Sequence, residues 1–251
     1  MHQDVDLRVR LVGPGRLGRS VFALLSARGL PVELWGRSGR IEGDCPDPNL
    51  TYLLVPDRAL GAAALAHADA QVLLHASGAT DLEVLGPHPA AASLHPLMSF
   101  PGPEVSLPTG LVPAAVAGEG QAAEVAGALA TALGWTPFPM NGDRRLYHAA
   151  AVVAGNFSAA LLYAGGALLA EAGVPEAEAR GLLLPLVRAG LDNAARSPAG
   201  QALTGPVARG DEAVLRAHQN AIADAIPALS PTYDALVGWS RALLRGEAGG
   251  R

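Results

Sequence analysis

"LVGPGRLGRS", residues 11–20, sets three glycines at the spacing Gly13-x-Gly15-x-x-Gly18. In a chain with 30 glycines the spacing alone is weak, and its neighbours decide its meaning. Leu7, Val9 and Leu11 alternate with Arg8 and Arg10 before the stretch turns fully apolar at Val12, the pattern of a strand. Beyond the glycines, Leu17, Val21, Leu24 and Leu25 share one helical face as far as Gly29. "PVELWGRS" (31–38) reads as a second strand. A strand–turn–helix–strand unit of about 30 residues is the context in which such glycines hold a dinucleotide. Gly13 permits the tight turn, Gly15 lets the backbone approach a pyrophosphate, and Gly18 lets helix and strand pack closely. Arg16 and Leu17 then open a helix whose free N–H groups face the phosphates.

The alternation continues. Strands are predicted over 51–57, 70–78, 90–96, 111–118 and 136–140, with helices to about His67 and over 121–133. Repeated strand–helix units imply a parallel sheet covered on both faces. After about residue 143 no strand signal remains. Helices are predicted over 144–172, 175–195, 212–226 and 231–245, with Asp211 and Ser230 as N-caps and Asp57 capping an earlier helix. The predicted fold class is α/β. A Rossmann-type, doubly wound parallel sheet occupies 1–142, and an all-helical substrate and dimerisation domain occupies 143–251.

Composition narrows the functions. A formal charge of −5 gives no basic footprint for nucleic acid. All 18 cationic side chains are arginine, which excludes a lysine Schiff base. One cysteine, Cys45, allows no internal disulfide, and no Cys/His spacing suits a metal. "MHQDVDLRVR" carries no apolar signal segment, so a cytoplasmic location is expected. Residues 149–170 are long enough to span a bilayer, yet they are mostly alanine and glycine and contain Asn156 and Ser158. A helix buried in protein is the preferred reading over a membrane span. Gly155, Ala159, Gly165 and Gly166 would permit close helix approach, and a homodimer through the helical domain is expected.

The second strand also indicates which dinucleotide. NAD sites place an acid at its end to hold the ribose. Here "WGRSGR" offers Arg37, Ser38 and Arg40 and no carboxylate, and Glu33 falls too early in the strand. An arginine fork suits a 2′-phosphate, so the expected cofactor is NADP, against the plainer reading of a solvated basic turn.

"GPGRLG" (13–18), "VPD" (55–57), "HASGA" (75–79), "SLHPLMSF" (93–100), "LYHAAAVVAGNF" (146–157) and "LTGPVARGD" (203–211) occur in that order. Together they resemble a bacterial family of unassigned function with a Rossmann-like domain and a helical C-terminal domain. That family stands near the deazaflavin-linked NADP oxidoreductases, the ketopantoate reductases and the pyrroline-5-carboxylate reductases. The resemblance covers almost the whole chain and implies a dehydrogenase-like architecture and a dimer, without a substrate. "LHPLMSF" is also similar to the His-Pro stretch of prephenate-type dehydrogenases. Ketopantoate reductases begin the long helix with a catalytic lysine four residues before an asparagine. Asn156 matches the asparagine, but Val152 stands at the lysine position, and His148 is the candidate for the vacant role.

Other candidates follow from position. His95 ends a strand, where sites open in such sheets, and could protonate a substrate; the plainer reading is a histidine satisfied by loop carbonyls. His148 and Asn156 could line a cleft, or Asn156 could tie helices together. Ser77 and Gly78 lie where a nicotinamide would rest, and Val55 and Pro56 beside the adenosine ribose. Arg209 could clamp a carboxylate. His2, His67, His88 and His218 read as surface residues. The expected function is hydride transfer to or from a small carbonyl or imine metabolite held between the domains. The alternative is a non-catalytic NADP(H)-binding sensor or interaction protein.

Overall fold

The structure is a computed structural model that describes residues 5–102 and 111–247. The chain divides into two compact units, Met1–Gly155 and Asn156–Arg251.

The first unit is built on one sheet. Its strands are β1 (Val9–Val12), β2 (Val32–Gly36), β3 (Gly39–Asp44), β4 (Leu50–Leu53), β5 (Val72–His75), β6 (Ala91–Pro96), β7 (Val112–Gly118) and β8 (Trp135–Pro139). They lie in the order β3-β2-β1-β4-β5-β6-β7-β8. The strands from β2 through β1, β4 and β5 to β6 run parallel, as does β7 with β8. Two pairs depart from the expected all-parallel sheet: β3 returns antiparallel beside β2, and β7 runs antiparallel to β6. The strand β3 was not expected at all. Its residues "GRIEGD" are mostly solvent-facing, so no apolar alternation marks it. Arg37 and Ser38 are therefore the exposed turn of a β-hairpin.

Alternate side chains of the central strands feed two cores. Val9, Leu11, Leu50, Tyr52, Val72 and Leu74 pack on one face under α1 (Arg16–Ala27). Val12, Leu53 and Leu73 pack on the other under α2 (Leu60–Ala66). The first core also takes the buried side of α3 (Gly120–Ala132), through Val125, Leu129 and their alanine neighbours. Burial on both faces makes these strands near-continuously apolar, which is why they were legible. Tyr52 is fully buried, and its hydroxyl donates to the Leu94 carbonyl. Glu33 is also buried, 2.7 Å from Arg10, whose guanidinium lies 4.7 Å from the centre of the Trp35 ring. That ion pair accounts for an acid inside a strand.

Helix α4 (Arg144–Ala151) belongs to the first unit, although the sequence placed it in the helical region. Asp143 caps it by accepting from the N–H groups of Arg145 and Leu146. A π-helical turn, Val152–Phe157, follows in place of the single regular helix expected over 144–172.

The second unit contains α5 (Ser158–Glu171), α6 (Glu176–Arg196), two short helices, α7 (Ala199–Ala202) and α8 (Pro206–Arg209), then α9 (Glu212–Ala225) and α10 (Ser230–Leu244). At Gly166 an added Cβ would lie 2.7 Å from Arg180 Cγ, so α5 and α6 touch where a larger residue cannot stand. Asp211 caps α9 as expected, accepting from Val214 N–H. Ser230 does not cap α10. The helix begins at Ser230 itself, because a 3-10 turn over Pro227–Leu229 runs directly into it. Asp57 likewise caps nothing through its side chain and is the first residue of a 3-10 turn.

The glycine turn tests the packing. A Cβ on Gly18 would lie 1.9 Å from the Gly13 carbonyl oxygen, whereas one on Gly15 would meet nothing within 4 Å. Gly18→Ala is expected to lower stability by about 1–3 kcal/mol, the usual cost of overpacking, and Gly15→Ala to leave it nearly unchanged. Urea unfolding of the two variants separates these outcomes.

Candidate active site

The glycine turn is a cradle at the sheet's carboxyl edge. Gly13 has φ +122°, and an added Cβ would lie 2.4 Å from the Leu54 carbonyl oxygen. Its N–H donates to the Trp35 carbonyl at 2.9 Å, while Leu54 N–H donates to the Val12 carbonyl at 2.7 Å. The exits of β1, β2 and β4 are thus drawn together at a point only glycine can occupy. Gly15 is exposed, and α1 begins there without a side-chain cap or an acid in its first turn. Open N–H groups, a positive dipole end and free space over Gly15 fit a dinucleotide pyrophosphate. Arg16 is exposed beside it, and Leu17 is packed against the core. Val55 and Pro56 follow β4 at its exit.

A second cluster forms at the ends of β5 and β6. His75 on β5 pairs in register with Ser93 on β6, and His95 stands two residues further on the same face. Helix α4 presents Arg144, Tyr147 and His148, whose i, i+3, i+4 spacing gives them a common side. Arg144 is 7% exposed; its guanidinium donates to Ser93 Oγ at 2.8 Å and to the Ser77 carbonyl. His95 Nδ1 lies 2.7 Å from Tyr147 Oη. The His95 ring centre is 5.4 Å from that of Tyr147 and 6.2 Å from that of His148. An added Cβ on Gly78 would come within 2.9 Å of both histidine rings, so Gly78 is the floor on which they meet.

Ser77 is buried, and its hydroxyl organises the turn, accepting from Ala79 and Thr80 N–H and bonding Thr80 Oγ1. Its own N–H donates to His75 Nδ1 at 3.1 Å, and His75 Nε2 has no partner. Asn156 opens the second unit, exposed in the π-helical turn. His67 and His88 are half-buried rather than on the surface: His67 packs edge-on to Trp35, and His88 bonds the backbone of Ala70 and Ala90. His2 lies outside the described residues.

Electrostatics follow from burial. Desolvation, helped by His148 and Arg144, holds His95 down to about 4, so its ring is neutral near pH 7. The same burial, with Arg144 again adding, holds His75 down to about 3. Desolvation pushes the Tyr147 phenol above its ordinary value, with Arg144 pulling the other way, and it therefore carries its proton at neutral pH. The cluster offers a phenol donor and a neutral imidazole beside a buried guanidinium.

A family model described as a domain of unknown function, DUF2520, matches residues 112–238, just over half of the chain. The chain belongs to that family. The matched region contains Arg144, Tyr147 and His148, while the glycine turn and His95 lie before it. No curated protein matches the sequence. Among solved structures, the chain is similar to protein TM1727 from Thermotoga maritima, with 24% identity over 96% of this chain and 100% of that one (TM-score 0.71). It is similar to BF3122 from Bacteroides fragilis, described as a "putative NADP oxidoreductase", at 21% identity over 96% and 98% (TM-score 0.74). It is also similar to an imine reductase from Streptomyces aurantiacus, at 18% identity over 96% of each chain (TM-score 0.63). At these identities the likeness establishes the Rossmann-like fold with its helical C-terminal region.

Arg144, Tyr147, Ser93 and His75 were not singled out in the sequence. The first two had a signal, the helical spacing to His148. Ser93 and His75 open the stretches "SLHPLMSF" and "HASGA", but their roles arise from strand register, which those stretches do not give.

A stability profile tests the burial of His75. Between its ordinary value of 6.5 and about 3, the unfolded chain binds a proton there that the native state excludes. This contribution to stability is complete above pH 6.5 and is lost as the pH falls. By pH 4 the loss is on the order of 3 kcal/mol. His75→Asn keeps an acceptor for Ser77 N–H and removes the titration. Denaturant unfolding at pH 7 and pH 4 should lose correspondingly less stability in the variant; equal losses would contradict the assignment.

Proposed function

We propose that the protein is an NADP(H)-dependent oxidoreductase acting on a small carbonyl or imine metabolite. The observation that supports this most is the convergence of His95, Tyr147 and His148 over Gly78, at strand ends that open beside the glycine cradle. A protein that only senses the dinucleotide has no need for proton-bearing side chains gathered at that point.

Gly13, Gly15, Arg16, Leu17 and Gly18 would hold the pyrophosphate, with Val55 and Pro56 beside the adenosine ribose and Ser77 and Gly78 under the nicotinamide. The hairpin turn at Arg37 and Ser38 would meet the 2′-phosphate, and both residues are exposed to do so. When bound, the dinucleotide supplies or accepts a hydride. The chain's own residues orient and polarise the substrate. His95, neutral near pH 7, acts by hydrogen bonding rather than as an imidazolium. His148 borders the same point, and Asn156 is the remaining polar candidate on this helical run.

We also propose a homodimer through the second unit, in the cytoplasm. That unit buries few large side chains of its own, chiefly Leu215, Ile222 and Val237. Leu161 and Tyr163 on α5, Leu182 and Leu186 on α6 and Trp239 on α10 are all exposed. The run Arg144–Glu171 is long and apolar enough to cross a membrane and, against the expectation of a helix buried in protein, is left largely uncovered by the chain itself; a second copy would cover it. Light scattering at micromolar concentration should give twice the 25.5 kDa chain mass. A stable monomer would contradict the dimer, and a protein soluble only in detergent would point to the bilayer.

Cofactor choice is tested by fluorescence titration. Arg37→Ala should weaken NADPH by about tenfold or more, since a charge-assisted hydrogen bond contributes about 1.5–3 kcal/mol, and should leave NADH nearly unchanged. Equal NADPH affinities in wild type and variant would end that assignment. NADPH oxidation is then screened against keto acids, aldehydes and cyclic imines. Tight NADPH binding with no oxidation by any of them would favour the sensor.

A further inference from the structure

Among the described residues the charges around Gly78 are one-sided. Arg144 is buried with its Nε unpartnered, and its other nitrogens bond neutral oxygens of Ser93 and Ser77. Among the described residues no carboxylate forms an ion pair with it. Among the described residues the acids that bear on it are Asp81 and Asp57, which are exposed and act from a distance. Among the described residues the other titratable groups facing the point are His75, His95, His148 and Tyr147, none of them a carboxylate. A buried, uncompensated cation favours negative charge developing nearby and opposes positive charge there.

A carbonyl and an imine differ in this respect. A carbonyl under reduction develops an alkoxide, whereas an imine is reduced as its iminium cation. Resting on the reductase reading above, we infer that this site takes a carbonyl rather than an iminium, with Tyr147 as the catalytic residue that protonates the carbonyl oxygen. Geometry supports Tyr147. Its oxygen lies 2.7 Å from His95 Nδ1, and no protein group accepts a hydrogen bond from His95 Nε2 among the described residues. With its single proton on Nδ1, His95 donates to Tyr147 Oη. The phenol proton is then left free to point at a substrate, and His95 is a positioning residue. The step balances. The C=O π bond opens as the carbon accepts the hydride and the oxygen accepts the phenol proton. The tyrosinate, stabilised by Arg144, recovers its proton from water, and His95 keeps its proton on Nδ1 throughout. The products are an alcohol and the oxidised dinucleotide.

Three measurements on the full-length protein test this. Calorimetric titration of the NADP⁺ complex with cyclohexanecarboxylate and cyclohexylammonium compares charge on one ring. The carboxylate should bind at least tenfold tighter, and equal or tighter ammonium binding would overturn the inference. Nitrogen-15 spectra of labelled histidine at pH 7, assigned with His95→Asn, should give the Nδ1–H tautomer for His95. An Nε2–H tautomer would make Tyr147 the donor to His95 and end its role as the acid. In turnover with NADPH, a ketone or 2-oxo acid should exceed 1-pyrroline by at least a hundredfold in kcat/KM. Tyr147→Phe keeps the ring against His95 and Phe138 and should lower kcat by about 10²–10⁴-fold, the usual worth of general acid catalysis, with NADPH affinity unchanged within about twofold. Preference for the cyclic imine, or full kcat in Tyr147→Phe, would overturn the inference while leaving the reductase reading intact. Carboxylate preference and the Nδ1–H tautomer without turnover of any carbonyl or imine would instead overturn the reductase reading and leave the site's charge preference standing.

Discussion

The guanidinium of Arg144 ties the first helix beyond the sheet to the ends of two strands. It reaches Ser93 on β6 and the carbonyl of Ser77 just past β5, and both contacts are buried. Burying a guanidinium costs several kcal/mol, and charge-assisted hydrogen bonds of about 1.5–3 kcal/mol each offset that only if both are made. The position of α4 is therefore narrowly defined. Tyr147 and His148, one turn further along the same face, are set against His95 as a consequence. The lowered values of His75 and His95 owe part of their shift to the same cation. One contact thus controls both the geometry and the charge of the site.

The other constraint lies at Gly13 and Gly18. Neither position admits a Cβ without displacing backbone, whereas Gly15 is open. Two of the three glycines answer to packing within the protein, and the third has no internal reason to be glycine. The contrast is what separates a ligand cradle from a tight turn, and spacing alone could not draw it.

Much of this was legible in the sequence because burial writes periodic patterns. The central strands, buried on both faces, read as apolar runs, and α1 carried its stripe. The strand β3 was illegible because only Ile41 among its six residues is a large apolar group, and even that is exposed. Pairing with β2, not burial, makes it a strand. The direction of β7 was hidden for a related reason: an apolar strand reads the same whichever way it runs. In the site, His95 stood out by its place at the end of an apolar strand, and His148 through the resemblance, as the candidate for the vacant lysine role. Their convergence depended on register and on the buried hydrogen bonds of Arg144. The boundary at 142/143 followed the loss of strand signal, but α4 packs with the unit that precedes it.

Electron density from crystals grown with NADP⁺ tests the central claim most directly. The pyrophosphate should lie over Gly15 at the start of α1, and the nicotinamide beside Gly78, with Tyr147 and His95 about 3–4 Å from a position where a reacting carbonyl could sit. A dinucleotide bound elsewhere, or a nicotinamide turned away from Tyr147 and His95, would contradict it.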